Sequence, residues 1–117
     1  MRKSKINISG FKIGTAENRE GLTGVTVILA PDGGATAGVD VRGCAPGTRE
    51  TDLLDPRKTV QKIHAVVLSG GSAFGLEAAS GCVKYLAEQG VGFPIGNVCV
   101  PIVCSAVLFD LMIGDEK

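Results

Sequence analysis

The chemically suggestive residues of this chain of 117 residues fall in two stretches. The first is VVLSGGSAFGLEAASGCVKYL, Val66 to Leu86, where a β-branched apolar run stops at Gly70-Gly71-Ser72 and an amphipathic segment begins. Such a layout can be a phosphate cradle, an elbow presenting a serine nucleophile, or a tight strand-to-helix corner. A P-loop cradle needs GxxxxGK[ST], and no lysine follows these glycines. The dinucleotide fingerprint GxGxxG also fails, because the glycines stand at Gly70, Gly71 and Gly75. An elbow needs GxSxG, whereas Ser72 sits in GGSAFG. His64, the only histidine, lies on the preceding strand without an evident Asp-His arrangement. Ser72 is therefore read as a helix N-cap rather than a nucleophile. The free N–H groups of such a helix start can still face a carboxylate or a developing oxyanion.

The second stretch is RGCAPGTRETD, which carries Arg42, Arg49, Glu50 and Asp52. An arginine here can clamp a substrate carboxylate; the favoured reading is that these residues structure the loop through ion pairs and hydrogen bonds. The four cysteines, Cys44, Cys82, Cys99 and Cys104, form no CxxC pair, and no second histidine stands at ligand spacing. A metal site is not expected, nor is any cofactor; the cysteines read as buried free thiols in a reducing compartment.

These residues must be positioned by one domain at most, in the size range where a single core forms without staples. Lys plus Arg is 12 and Asp plus Glu is 12, so the charge balance points to neither nucleic acid nor an anionic membrane. The basic start, MRKSKINISG, has no apolar run behind it and is not a secretory signal. The longest apolar stretch, Val98 to Phe109, is interrupted by Pro101 and is too short to span a bilayer. A cytoplasmic protein is expected. The 17 glycines and 4% aromatics imply many tight turns and a core with little aromatic area.

Gly10 to Thr15 reads as a first strand followed by the polar turn AENREG, and Gly24 to Ala30 as a second. Pro31-Asp32-Gly33-Gly34 is a turn, after which Ala35 to Arg42 alternates well enough to pair back as a hairpin. A polar excursion of a kind that is usually functional or needs a partner surface runs from Gly43 to Lys62. Ile63 to Leu68 reads as a strand buried on both faces. A helix then starts at Ser72, places Leu76, Ala79, Val83 and Leu86 on one face, and ends at Gly90. Gly75 and Gly81 inside it cost about 1 kcal/mol each relative to alanine and fit best where another backbone packs close. Val98 to Leu111 supplies one or two last strands. These strands need more cover than one helix provides, as in the first part of a larger layered α/β domain.

Three ordered motifs, VRGCAPGTRETDLL, HAVVLSGGSAFGLEAASGCVKYL and VPIVCSAVLFDLMIGD, closely resemble the N-terminal part of the P1 (S58) peptidase family over Gly21 to Asp115. That family comprises L-aminopeptidase/D-esterase enzymes, β-peptidyl aminopeptidases and nylon-oligomer hydrolases. The resemblance implies the N-terminal part of an αββα sandwich similar to N-terminal-nucleophile hydrolases. It also implies a precursor that cuts itself to free a Ser or Thr nucleophile. By this resemblance the glycine corner, Gly70, Gly71, Ser72 and Ala73, lines a substrate site whose nucleophile comes from elsewhere. No residue of residues 1–117 is expected to be catalytic, and the chain is expected to be a single partial domain, inactive alone. Its implied partners are a peptide or amide substrate, the missing C-terminal portion and a second copy in a homo-oligomer. The runner-up reading is a truncated, non-catalytic module for small-molecule binding or self-association. Cys44 replaces a usual glycine of the family and Cys104 a usual proline, the latter expected to loosen a turn.

Overall fold

The computed structural model of the chain describes residues 8–115; the basic start up to residue 7 and the end at residues 116–117 lie outside them. The strands are β1 (Lys12–Asn18), β2 (Thr23–Leu29), β3 (Thr48–Arg49) and β4 (Ala65–Ser69). They are followed by helix α1 (Glu77–Glu88), β5 (Phe93–Ile95), β6 (Val98–Val100) and β7 (Val103–Val107). One sheet has the order β1-β2-β4-β7-β3, and β5-β6 form a separate hairpin. β4 and β7 run parallel, with α1 in the crossover between them, while β1-β2, β2-β4 and β3-β7 are antiparallel. The class is mixed α/β.

Two expectations about the first half are corrected. The first strand runs further than Thr15, because β1 pairs with β2 in unbroken register from Lys12↔Leu29 to Asn18↔Thr23. The turn is confined to the next four residues, where Asn18 Oδ1 accepts from Glu20 N and Gly21 N at 3.1 and 3.0 Å. The segment Ala35 to Arg42 does not return as a hairpin on β2. Both edges of β2 are already taken by β1 and β4, and only a single bridge, Ala35↔Ile63, forms.

The sheet is covered unequally. On one face Ala65, Val67 and Val103 pack under Ala79, Cys82 and Leu86 of α1, with Val25, Val27 and Leu29 at the margin. On the other, Ile63, Ile102 and Cys104 are covered only by loop residues such as Leu53, Leu54 and Val60. Leu68 on that face is 46% exposed, so β4 is not buried on both faces along its length. The radius of gyration, 15.2 Å, exceeds the roughly 13 Å of a compact domain this size, as a sheet with one helix layer should. Cys104 lies inside β7, not at a turn, and its thiol donates to the Glu50 carbonyl at 3.2 Å. It loosens nothing. Burial and the nearby Glu50 charge push that thiol up to about 11, and Cys82 is also buried, whereas Cys44 is exposed.

The helix begins later than its apolar pattern suggested. Ser72 to Leu76 form a 3₁₀ turn, and α1 proper starts at Glu77. Ser72 makes no capping bond with its side chain, because its φ of 54° follows Gly71 at 88° and redirects the chain. At the other end Gly90 N–H reaches Ala87 O at 3.0 Å and Val91 N–H reaches Leu86 O at 2.9 Å, the paired bonds of a glycine-ended helix. The two glycines of the helical segment differ. A Cβ on Gly75 would collide with the Gly70 carbonyl, whereas one on Gly81 would meet nothing within 4 Å. Gly81 therefore does not mark a close backbone approach. Gly81→Ala should raise stability by about 1 kcal/mol from helix propensity alone, while Gly75→Ala should lower it; urea unfolding of the two variants reads the opposite signs.

His64, just before β4, is buried and accepts the Ile102 N–H on Nδ1 at 3.0 Å. Burial lowers its pKa below the ordinary value of 6.5. Stability from this neutral histidine is complete above the unfolded value and is lost as pH falls below it toward the folded one. The thermal midpoint should therefore decline as pH is lowered from 7 to 5, and His64→Gln should remove the part of that slope arising from this titration.

Candidate functional site

The corner after β4 is built from close approaches that side chains would forbid. A Cβ at Gly70 would strike Asp110 Oδ2 and Thr23 Oγ1, and Gly75 sits directly against the Gly70 carbonyl. Gly71 must adopt φ of 88°, a conformation that favours glycine. The corner is then tied to both flanking strands. Gly70 N–H donates to Gly24 O at 2.9 Å, and Ser72 N–H donates to Leu108 O at 2.9 Å. Leu108 N–H in turn donates to Ser69 O at 2.8 Å.

At the centre stands a residue that the sequence reading did not single out. Asp110 accepts Thr23 Oγ1–H on Oδ2 at 2.6 Å and Gly71 N–H on Oδ1 at 2.7 Å. The Thr23 hydroxyl first, and then the Gly71 amide, hold its carboxyl below the ordinary carboxylate value. One carboxylate thus links β2, the corner and the segment leaving β7. The available signal was a lone acid in the apolar run VCVPIVCSAVLFDLMI, where an ionised group needs fixed donors.

Beside Asp110 lies a cavity of about 510 Å³, walled by Gly71, Thr23, Asn18 and the segment Leu111 to Ile113. A second, open hollow of about 930 Å³ shares Asn18, Thr23 and Asp110 with it and reaches Gly70. The expected substrate-lining residues thus divide: Gly70 and Gly71 face these hollows, but the amides of Gly70, Gly71 and Ser72 are all engaged within the chain. Those three N–H groups are not free donors for an oxyanion. Ala73 follows inside the 3₁₀ turn.

The loop residues take separate places. Arg49 Nη1 donates to Ser80 Oγ at 2.7 Å and to Leu76 O at 3.3 Å, which joins β3 to the start of α1. Glu50, at φ of 59°, contributes its carbonyl to the Cys104 thiol. Asp52 opens a short 3₁₀ turn, and Arg42 pairs with Asp40 on the surface at 2.7 Å. The fold therefore brings Arg49 to the far end of the glycine turn and leaves Arg42 and Asp52 apart from it. His64 and Ser72 stand at opposite ends of β4, about 20 Å apart at the rise of an extended strand, so they form no dyad. Among the described residues no three metal-ligating side chains converge, and no helix is long and apolar enough to cross a membrane.

Removing the central carboxylate leaves two donors without an acceptor. Asp110→Ala should lower the urea midpoint at pH 7 more than Thr23→Val does. Because the folded carboxyl titrates below its unfolded value, its contribution is present above about pH 4 and lost below. The gap between Asp110→Ala and wild type should therefore close as the pH drops through that range.

Comparison with known proteins places this geometry in a lineage. Residues 5–117 match the profile of Peptidase family S58. An uncharacterized aminopeptidase of Mycobacterium leprae is 54% identical over 92 residues, covering 79% of this chain and 25% of the relative. An uncharacterized aminopeptidase of Mycobacterium tuberculosis is 54% identical over 91 residues, covering 78% and 26%. A 6-aminohexanoate-oligomer endohydrolase of Agromyces is 37% identical over 106 residues, covering 91% and 27%. The chain spans about a quarter of the length of these relatives. With the family profile matched over nearly its whole length, the chain belongs to peptidase family S58.

Proposed function

We propose that this chain supplies the N-terminal portion of a self-processing amide hydrolase that releases N-terminal residues from peptides or small amides. The nucleophile is a Ser or Thr freed by self-cleavage in polypeptide equivalent to the other three quarters of the relatives. The observation that carries the reading is the S58 match over residues 5–117, at a quarter of the relatives' length, together with a sheet covered by α1 on one face only. An αββα sandwich needs such a face for its second sheet. The exposed apolar hairpin β5-β6 offers further unpartnered surface.

In this reading the 117 residues bind and orient, and do not attack. An N-terminal nucleophile needs its own α-amine as base beside a hydroxyl or thiol, and the thioether side chain of Met1 supplies neither a hydroxyl nor a thiol. His64 cannot substitute, being buried with Nδ1 engaged by Ile102. Gly70 and Gly71 form the wall against which the substrate lies, with Ser72 and Ala73 continuing the turn behind it, and Arg49 ties the loop that carries Arg42, Glu50 and Asp52 to the start of α1. The working protein is a homo-oligomer in the cytoplasm. The open sheet face also favours a second reading, a non-catalytic module that self-associates through that face.

Purified residues 1–117 should show no turnover of amino-acid p-nitroanilides above the blank. Co-expression with the remaining segment of an S58 relative should produce a complex that cleaves itself and hydrolyses them. A folded complex with neither activity would overturn the hydrolase reading, and a 1–117 oligomer that excludes the added segment would establish the self-association module.

A further inference from the structure

Between two glycines in the left-handed region, Gly34 at φ of 84° and Gly43 at 86°, runs a segment with the alternation of a strand and no sheet to belong to. After the bridge at Ala35, no backbone N–H or C=O from Thr36 to Arg42 makes a hydrogen bond among the described residues. The one bond in the run joins two side chains, Arg42 to Asp40. The run contains neither turn nor bend, and none of its residues has a positive φ. Its alternation is expressed in burial. Ala35 and Ala37 are half-buried while Thr36 and Gly38 are exposed, and Ala37 packs on Ile63, Ile102 and Cys104, on the sheet face opposite α1. Between the run and that face lies a cavity of about 340 Å³, floored by Leu54, Val66, Leu68 and Cys104. Val39 and Val41, at its rim, remain 50% and 45% exposed. A row of backbone groups left to water along such a run is a template for another strand.

We infer that Thr36 to Arg42 is a docking strand, whose backbone edge receives an extended strand of the polypeptide equivalent to the other three quarters of the S58 relatives. Three observations select that occupant. The run offers unpaired N–H and C=O groups, which a strand can match; a helix has spent its own internally, and a small molecule in the cavity would leave them unpaired. The nearest strand in sequence, β2, has both edges occupied by β1 and β4 and cannot serve. The run stands over an open sheet face, where a second sheet packs about 10 Å away, and a strand laid about 4.8 Å beside it would cover the exposed side of Leu68. The incoming strand is apolar at every second position, on the side toward Leu68, and polar on the other. The source of the strand rests on the reading of this chain as the N-terminal portion of a longer hydrolase, which it matches over about a quarter of the relatives' length. The free edge itself rests on the hydrogen bonds of Thr36 to Arg42 alone.

The amides of the run are the reporters. The full chain, labelled with ¹⁵N, is followed by hydrogen exchange alone and with the unlabelled remaining segment of the Mycobacterium leprae relative. Alone, Thr36 to Arg42 should exchange like an open chain. In the complex at least three of these amides should slow by about a hundredfold or more, at alternate positions where one edge is paired. A chain carrying Val39→Pro and Asp40→Pro loses one N–H from each edge. Neither N–H is bonded in the chain alone, so its urea midpoint should be unchanged while its affinity for the segment falls by about tenfold or more. If that variant does not fold, the exchange of the wild-type complex still decides. A segment that does not bind, a complex in which the run stays fast, or undiminished binding by the folded double-proline chain would each overturn the docking strand. Slowing in the isolated chain that grows with its concentration would place a second copy on the edge and overturn the occupant. Exchange reads pairing and not turnover. Slowed amides without self-cleavage therefore count against the hydrolase reading alone, and hydrolysis with fast amides counts against the docking strand alone.

Discussion

Where β4 turns toward α1, the chain passes closer to itself than any side chain allows. Gly75 rests on the Gly70 carbonyl, and Gly70 lies against Thr23 and Asp110, while Gly71 supplies a left-handed φ. That approach lets a single carboxylate bond β2 and the corner at once, from a segment nearly forty residues further on. It also fixes where α1 starts, and hence which of its residues reach the sheet. Ala79, Cys82 and Leu86 then fall over Ala65, Val67 and Val103. Arg49 closes the other side by holding the edge strand to Leu76 and Ser80.

The consequence is a sheet whose two faces are covered unequally. One sheet face has a helix and a packed core; the other has a loop, partly exposed Leu68 and open space. The chain belongs to family S58 and spans about a quarter of the relatives' length. Two hollows adjoin the corner, while His64 and Ser72 stand at opposite ends of β4. The engaged amides of Gly70, Gly71 and Ser72 make the same point: this corner is a scaffold whose donors are already used internally.

Much of the local structure was legible. The β4 run, the helix face through Ala79 and Leu86, the glycine end at Gly90 and the turn at Pro31 to Gly34 follow from period and turn chemistry, and the S58 motifs were readable as they stand. The misses share a cause. Ala35 to Arg42 alternates like a strand, yet alternation does not say whether a neighbouring edge is free, and β1 and β4 had taken both edges of β2. Ser72 looks like an N-cap by type, but capping needs extended backbone, and Gly71 forces a different path. Asp110 escaped notice because its partners, Thr23 and Gly71, are remote in sequence.

The sequence by itself determined the family, the strand-helix corner and the need for glycine at it, because periodicity, turn residues and motif order are local properties. Only the tertiary structure decided which strands are neighbours, which sheet face stays open and which carboxylate holds the corner. Those depend on contacts between distant segments, and a hydrogen bond from position 23 to position 110 has no signature in either residue's neighbourhood.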